Sequence, residues 1–179
     1  MRASWGNDLP WACEGLPETT PTITKAIVHH TVNSNDYQPS DSSKMLRAIW
    51  GYHVFTLGYC DIAYNFLLDK FGTKFEGRLG GMENAVVGAH SLNNNTGTTG
   101  IAMLGTYTTV QPPDVELQAL IDMIVWKFRV HKLDGKSDKQ IIGHRDVYAT
   151  ECPGEAAYKT LPLIRFVVRH DLEAAAAPV

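Results

Sequence analysis

Short apolar runs and amphipathic stretches alternate along the chain, and their spacing predicts the order of strands and helices. Residues 24–31 are apolar and β-branched, and they predict a buried strand that ends in the pair His29-His30. Residues 42–56 follow a candidate cap at 39–41 and place apolar side chains at helical spacing. They predict a helix whose inner face covers the sheet.

The middle of the chain predicts further strands and a polar loop. Two strand-like runs, 64–69 and 74–78, flank a turn-rich connection at 70–73 and predict a hairpin. Residues 92–97 are polar and predict a solvated loop, of the kind that lines binding grooves on a rigid scaffold. The run 100–105 is apolar without alternation, which is typical of a central strand.

The last third of the chain predicts two helical regions around a short strand. After a Pro-Pro-Asp cap, apolar positions follow the 3.6-residue period from Leu117 to Phe128. Residues 140–142 predict a short strand. Residues 155–169 predict two short helical pieces, with Pro162 at the break between them.

Strands interspersed with three helical regions predict an α/β fold, in which a central mixed β-sheet is flanked by about three α-helices. The sequence contains neither an internal repeat nor a second composition-defined unit. We therefore expect one domain over residues 1–172. The alanine-rich residues 173–179 predict a tail or the start of a linker.

Composition narrows the classes of partner. The chain has 179 residues, of which 44% are hydrophobic and 20% are charged, which is sufficient for a sizeable core. The net charge of −3 comes without a block of like charge, so we expect no nucleic acid partner. No apolar run reaches the length of a membrane span. The first residues lack the apolar core of a secretion signal, so we expect no signal peptide in this chain.

Histidine and cysteine residues suggest a metal site. His144 stands eight residues before Cys152, and the pair His29-His30 lies far upstream. Two imidazoles and a thiolate suit one Zn²⁺ ion per chain, and three protein ligands leave one tetrahedral position open, as in catalytic zinc sites. Because neighbouring strand residues face opposite sides, only one of His29 and His30 can point at the metal. The pattern leaves that choice open.

Each of these residues also has an ordinary interpretation. His29 could be a packed strand histidine, His144 a loop residue and Cys152 a buried thiol. Their placement favours the metal, since the loop that His144 and Cys152 bracket can fold back on the strand end. The remaining cysteines, Cys13 and Cys60, could form a disulfide or stay as two reduced, buried thiols.

Short motifs of specific sequence lie along nearly the whole chain, from Trp5 to about Val168. They are Val28-His29-His30-Thr31, Gly58-Tyr59-Cys60-Asp61-Ile62-Ala63-Tyr64-Asn65-Phe66, Phe75-Glu76-Gly77-Arg78, Val87-Gly88-Ala89-His90, Gly100-Ile101-Ala102, Gly143-His144-Arg145-Asp146 and Cys152-Pro153-Gly154. Their order resembles the peptidoglycan recognition protein and type 2 N-acetylmuramoyl-L-alanine amidase family. So many motifs in one order argue against a chance match.

The resemblance implies the fold of that family and a reaction. The reaction is hydrolysis of the amide between the lactyl group of N-acetylmuramic acid and L-alanine of peptidoglycan stem peptides, with zinc polarising the carbonyl and activating water. Family members that bind cell wall without cleaving it characteristically lack the cysteine ligand, and this chain has Cys152. An enzyme is therefore expected. The alternative is a non-catalytic module that recognises muramyl peptides.

The resemblance also assigns roles to residues. The family's zinc ligands fall on His29, His144 and Cys152, which leaves His30 in a supporting role. Tyr64 matches a tyrosine beside the zinc, where a phenol can orient water or donate to the developing oxyanion. Thr150 falls where the family carries a lysine or threonine that assists the polarised carbonyl. Tyr64 and Thr150 are the expected catalytic side chains.

Substrate-binding positions follow from the same resemblance. They are His30, His53, Gly58, Tyr59, Arg78, His90 and Asn94, and each has an ordinary surface or packing role as its alternative. Gly58-Tyr59 stands where the family's glycine-tryptophan pair is associated with meso-diaminopimelate. Tyrosine in place of tryptophan leaves the stem-peptide preference open. The resemblance also pairs Cys13 with Cys60 in a disulfide.

The expected partner is peptidoglycan or its muramyl peptides, and we expect a monomer that acts at the cell wall. Both a bacterial wall hydrolase and a phage lytic enzyme, an endolysin with antimicrobial action, match these features. The chain could be an excised domain, a mature form with a new start methionine, or a phage enzyme released by a separate pore. The sequence leaves these choices open.

Overall fold

A computed structural model describes residues 2–176. Its strands are β1 (Thr19–Thr20), β2 (Lys25–His30), β3 (Phe66–Leu68), β4 (Lys74–Glu76), β5 (Ala85–Val86), β6 (Thr98–Met103) and β7 (Ile141–Gly143). Its α-helices are α1 (Ser42–Gly51), α2 (Asp114–His131), α3 (Glu155–Tyr158) and α4 (Leu161–Ala176). Five strands form the main sheet in the order β4-β3-β6-β2-β7, while β1 and β5 form a separate antiparallel pair.

The main sheet is mixed. Strands β3, β6, β2 and β7 run parallel, and β4 pairs antiparallel with β3. Strand β6 is buried along its whole length and β2 over all but its first residue, as expected for strands covered on both faces. The predicted α/β fold with a mixed sheet and flanking helices is confirmed.

Helices cover the two faces of the sheet unequally. Helices α2 and α4 pack on one face, and α1 packs on the other. Successive strand residues point to opposite faces. His29 is in register with Ala102, which belongs to the α1 side, whereas His30 is in register with Met103, which belongs to the α2–α4 side.

The predicted strand at 24–31, the hairpin, the central strand near 100 and the short strand near 141 are all present. The helix predicted over 42–56 consists of α1 followed by a π-helical turn at Tyr52–Thr56. The break in the last helical region falls at 159–160, and Pro162 lies in the first turn of α4, where its missing N–H costs no helical hydrogen bond.

Helix α4 continues through Ala176, past residue 173 where a tail or linker was predicted. Helix formation in this stretch follows from the high helix propensity of its alanines. Residues 177–179 lie outside the described residues, so the predicted domain boundary stays a prediction.

A disulfide and a buried ion pair are among the contacts that hold the N-terminal segment to the domain. Cys13 and Cys60 form a disulfide, which confirms the pairing that the resemblance implied. The Arg2 guanidinium donates to both carboxylate oxygens of Asp61 at 3.0 Å, and both side chains are buried. Among the described residues, the helices are too short or too polar to cross a membrane.

Candidate metal centre

Three potential ligands meet where β2 and β7 end. Val28 is in register with Gly143, so His29 and His144 come next on two paired strands and become neighbours. Their ring centroids are 4.5 Å apart. Cys152 approaches from the following loop, with its Sγ 3.6 Å from His29 Nδ1. One ligand atom from each of the three residues lies within 4.8 Å of the others.

The donor set and its spacing fit a zinc ion. Two ligands of one tetrahedral zinc, with Zn–S about 2.3 Å and Zn–N about 2.05 Å, are separated by about 3.6 Å. The distance between Cys152 Sγ and His29 Nδ1 is 3.6 Å. His144 Nε2 is buried and has no hydrogen-bond partner among the described residues, which leaves its lone pair or its proton unused. Nitrogen and thiolate sulfur together favour zinc over magnesium or calcium.

Burial sets the protonation of the cluster. It lowers the pKa of His29 well below 6.5, with further lowering by His90, His144 and His30, and it also lowers the pKa of His144. Neutral imidazoles, which metal binding requires, are therefore favoured. Burial raises the pKa of the Cys152 thiol to about 11, against lowering by the His30 backbone N–H and by Arg145. A cation at the site would supply the charge that a buried thiolate needs.

His30 faces away from this cluster. Its Nδ1 accepts a hydrogen bond from the Tyr107 backbone N–H at 3.2 Å, on the α2–α4 side of the sheet. Its own backbone N–H donates to Cys152 Sγ at 3.4 Å. The ring of His30 lies on the opposite face of the sheet from His29, and its substrate contact stays a prediction. The backbone of His30, rather than its ring, supports the cluster.

His90 lies directly behind His29. The two rings form a hydrogen bond of 3.1 Å between His29 Nε2 and His90 Nδ1, and only 5% of His90 is exposed. Burial lowers its pKa to about 3, with smaller contributions from His144 and Arg78. The sequence predicted a substrate contact for His90. In the structure the buried His90 ring lies edge-on against the ring of the candidate ligand His29, with centroids 5.0 Å apart, and its substrate contact stays a prediction.

A cleft of about 280 Å³ opens beside the cluster. Its lining includes Tyr64 and His53, and the Tyr64 ring lies 5.3 Å from that of His29. Burial raises the pKa of Tyr64, with smaller contributions from Cys152 and Tyr59, so the phenol keeps its proton. His53 Nδ1 accepts from the Ala63 backbone N–H at 3.1 Å, which directs its other nitrogen away from that loop. The π-helical turn of α1 presents His53 here.

Thr150 lies on the loop that leads to Cys152. Its hydroxyl oxygen accepts a hydrogen bond from the Cys152 backbone N–H at 3.2 Å. The same loop is fixed by Arg145, whose backbone N–H donates to the Cys152 carbonyl at 2.9 Å and whose guanidinium pairs with Glu155 at 2.7 Å. Thr150 therefore helps to hold the backbone of the candidate ligand Cys152 in place.

Three further predicted groove residues, Gly58, Tyr59 and Arg78, are not among those that line this cleft. Arg78 is half-buried, donates to the carbonyl of Ile62 at 3.3 Å and lies over the Trp11 ring at 4.9 Å. Tyr59 lies 5.7 Å from the His53 ring, measured between centroids. Gly58 adopts a φ of +71°, which favours glycine in this exposed turn.

Asn94 joins two loops rather than standing free. Its amide donates to the Leu92 carbonyl at 3.0 Å and to the Val147 carbonyl at 3.5 Å. The second loop carries Tyr148, whose ring stacks on His144 with an interplanar angle of 12° and a centroid distance of 5.4 Å. Tyr148 was not among the site residues predicted from the sequence. The signal available in the sequence was its position four residues after the candidate ligand His144, in a tight turn.

Comparisons with known proteins identify the family of this chain. The family model described as N-acetylmuramoyl-L-alanine amidase matches residues 19–155. Peptidoglycan-recognition protein SC1a of Drosophila melanogaster is 36% identical over 135 residues, which cover 74% of this chain and 68% of that protein.

Solved structures of the same kind match the fold. Drosophila peptidoglycan recognition protein SD superposes with a TM-score of 0.77 at 28% identity, covering 89% of this chain and 90% of that one. Peptidoglycan recognition protein LE, in complex with tracheal cytotoxin, a monomeric diaminopimelic acid-type peptidoglycan, gives 0.77 at 26% identity, covering 90% and 91%. The chain therefore belongs to the N-acetylmuramoyl-L-alanine amidase family, together with the peptidoglycan-recognition proteins.

Proposed function

We propose that this protein is a zinc-dependent N-acetylmuramoyl-L-alanine amidase. It would hydrolyse the amide between the lactyl group of N-acetylmuramic acid and L-alanine of peptidoglycan stem peptides. The observation that carries this proposal is the convergence of His29, His144 and Cys152 within 4.8 Å, beside an open cleft. Three ligands, rather than four, leave a coordination position for reaction.

The side chains around the cluster suit amide hydrolysis. When bound, zinc supplies a Lewis acid for the carbonyl and acidifies water. The protonated phenol of Tyr64, close to His29, can donate a hydrogen bond to the oxyanion that develops on the carbonyl oxygen. Thr150 accepts from the Cys152 backbone, which leaves its hydroxyl hydrogen for a substrate oxygen.

The cleft is suited to a muramyl peptide. His53 and Tyr64 line it, Arg78 supplies a cation near His53, and Asn94 fixes a loop on the His144 side. Relatives carry the name peptidoglycan-recognition protein, and protein LE was solved with a diaminopimelic acid-type peptidoglycan. We propose the same class of partner here, bound by a monomer acting at the cell wall.

Recognition without cleavage is the competing function, because relatives are named for recognition. Cys152 is the residue that bears on the choice between the two functions. A protein that only binds muramyl peptides needs the cleft, but it does not need a thiol beside the two histidines. The hydrolase needs all three ligands. The retained cysteine, at 3.6 Å from His29 Nδ1, favours hydrolysis.

The test is mass spectrometry of peptidoglycan treated with the zinc-loaded protein. We expect free stem peptides with an L-alanine amino terminus, and glycan strands with intact lactyl groups. A chelator should abolish release and added zinc should restore it. Binding to peptidoglycan without any released peptide would refute the amidase and support the recognition module.

Matched variants make the test specific. Cys152→Ala should lose release by at least about 10³-fold while the domain remains folded by circular dichroism. His170→Ala removes an exposed histidine on α4 that is not one of the three candidate ligands, and it should retain full activity. Unfolding of the Cys152→Ala protein would instead indicate a structural metal.

A further inference from the structure

A continuous line of hydrogen bonds runs behind the metal centre. It begins at His29 Nε2, which lies 3.1 Å from His90 Nδ1. His90 Nε2 lies 3.4 Å from the Thr98 hydroxyl, and that hydroxyl donates to the Asn94 carbonyl at 2.7 Å. His29, His90 and Thr98 are all buried, with at most 5% of any residue exposed. Water therefore does not compete for these bonds.

The end of the line fixes the direction of every bond in it. A backbone carbonyl can only accept, so the Thr98 hydroxyl gives its hydrogen to Asn94 and offers a lone pair to His90. His90 then carries its proton on Nε2 and accepts at Nδ1. His29 consequently carries its proton on Nε2, which leaves Nδ1 with a free lone pair.

That tautomer is the one metal binding requires. His29 Nδ1 is the nitrogen that faces Cys152 Sγ, at 3.6 Å. The opposite tautomer would reverse the line: Thr98 would have to donate to His90, and the bond to the Asn94 carbonyl would be lost. Burial makes such a lost bond expensive.

Two glycines leave room for the His90 ring. A Cβ on Gly100 would lie 2.3 Å from His90 Cγ, and a Cβ on Gly88 would lie 2.5 Å from His90 Cδ2. Real Cβ contacts do not occur at such distances. The His90 ring could therefore not occupy this place if either position carried a residue other than glycine. The backbone at Gly88 and at Gly100 thus approaches the His90 ring more closely than a residue with a side chain would allow.

We infer that His90 is a positioning residue, which holds His29 in the tautomer and orientation that present Nδ1 to the metal. The inference deepens the proposed function and rests on its zinc site. Outer partners of this kind typically change metal affinity by about 10- to 100-fold when removed. Among the described residues, His90 belongs neither to the three-ligand cluster nor to the residues that line the cleft.

The experiment compares His90→Asn with His90→Leu. The two replacements have the same branching, but asparagine places an acceptor oxygen near the position of Nδ1 and leucine places none there. Zinc affinity is measured by competition with a chromophoric chelator, separately from activity. We expect about 10- to 100-fold weaker binding for the leucine variant, and binding within about 3-fold of wild type for the asparagine variant.

A second readout follows the tautomer directly. In the metal-free wild-type protein, ¹⁵N NMR of the His29 ring should show the proton on Nε2, and the leucine variant should show a mixture. Thermal unfolding of the metal-free variants checks the fold. If His90→Leu does not fold, His90→Gln replaces it, because its acceptor is one bond too far out and should fail to restore affinity.

The outcomes separate this inference from the proposed function. Equal zinc affinities of the asparagine and leucine variants would overturn the role of His90, whatever the activity. A wild-type protein that binds zinc tightly but releases no stem peptide would refute the amidase and leave the role of His90 standing. A wild-type protein that binds no zinc would refute both.

Discussion

Replacing Glu116 by glutamine should change how stability depends on pH. Glu116 lies near the start of α2 and is fully buried. One carboxylate oxygen lies 2.5 Å from the Tyr107 hydroxyl, and the other has no hydrogen-bond partner among the described residues. Burial raises the pKa of Glu116 to about 8 from 4.5, against lowering by the Tyr107 hydrogen bond. The folded protein therefore favours the neutral carboxyl.

The sign and size follow from proton linkage. Between pH 4.5 and about 8 the unfolded chain has lost this proton and the folded chain keeps it. The free energy of unfolding then falls by about 1.4 kcal/mol per pH unit from this group alone. The resulting decrease in the free energy of unfolding reaches roughly 3 kcal/mol at pH 7 and roughly 5 kcal/mol above pH 8. Glutamine does not titrate and should escape this loss.

The assay is urea unfolding of wild type and Glu116→Gln at about pH 5, 6 and 7. We expect the stability of the variant relative to wild type to rise steadily with pH, by an amount on the order of 3 kcal/mol over this range. Glu14→Gln, at an exposed position, is the control and should show no such trend. A difference that stays constant with pH would refute the buried neutral carboxyl.

Gly100→Ala would place a Cβ 2.3 Å from His90 Cγ, so zinc affinity measured by chelator competition should fall about 10-fold or more. An unchanged affinity would show that the His90 ring can move freely. Cys13 and Cys60 are separated by 47 positions in the sequence. Reduction of their disulfide should lower the free energy of unfolding by about 4 kcal/mol in urea titrations. A change below about 1 kcal/mol would contradict the loop-entropy argument. Tyr64→Phe should lower kcat for stem-peptide release by about 10²- to 10³-fold with zinc affinity retained, and wild-type turnover would exclude the phenol as a donor.

Periodicity was sufficient to predict the main sheet because its strands are buried and apolar. The local sequence pattern predicts both the strand that carries His29 and the short strand before His144. Parallel pairing of these strands brings their ends together. The choice between His29 and His30 was different. It depends on which face of β2 meets α1 and which meets α2 and α4, and that is a property of the assembled layers.

Other features had no local signal. Strands β1 and β5 have two residues each, too few for any alternation, and they exist because Thr19 and Val86 pair across the chain. The π-helical turn after α1 continues the helical spacing of its apolar residues, so periodicity cannot distinguish it. The contact of His90 with His29 spans 61 residues. Gly88 and Gly100 meet the His90 ring only in the assembled fold, so the sequence pattern around them does not indicate this contact.

Anomalous diffraction at the zinc edge, on crystals of the zinc-loaded protein, tests the central claim most directly. We expect one peak per chain, about 2.0–2.1 Å from a ring nitrogen of His29 and of His144 and about 2.3 Å from Cys152 Sγ. A fourth position should face the cleft that Tyr64 lines. A peak elsewhere, a fourth protein ligand closing the site, or no peak at these three residues would contradict a catalytic zinc centre.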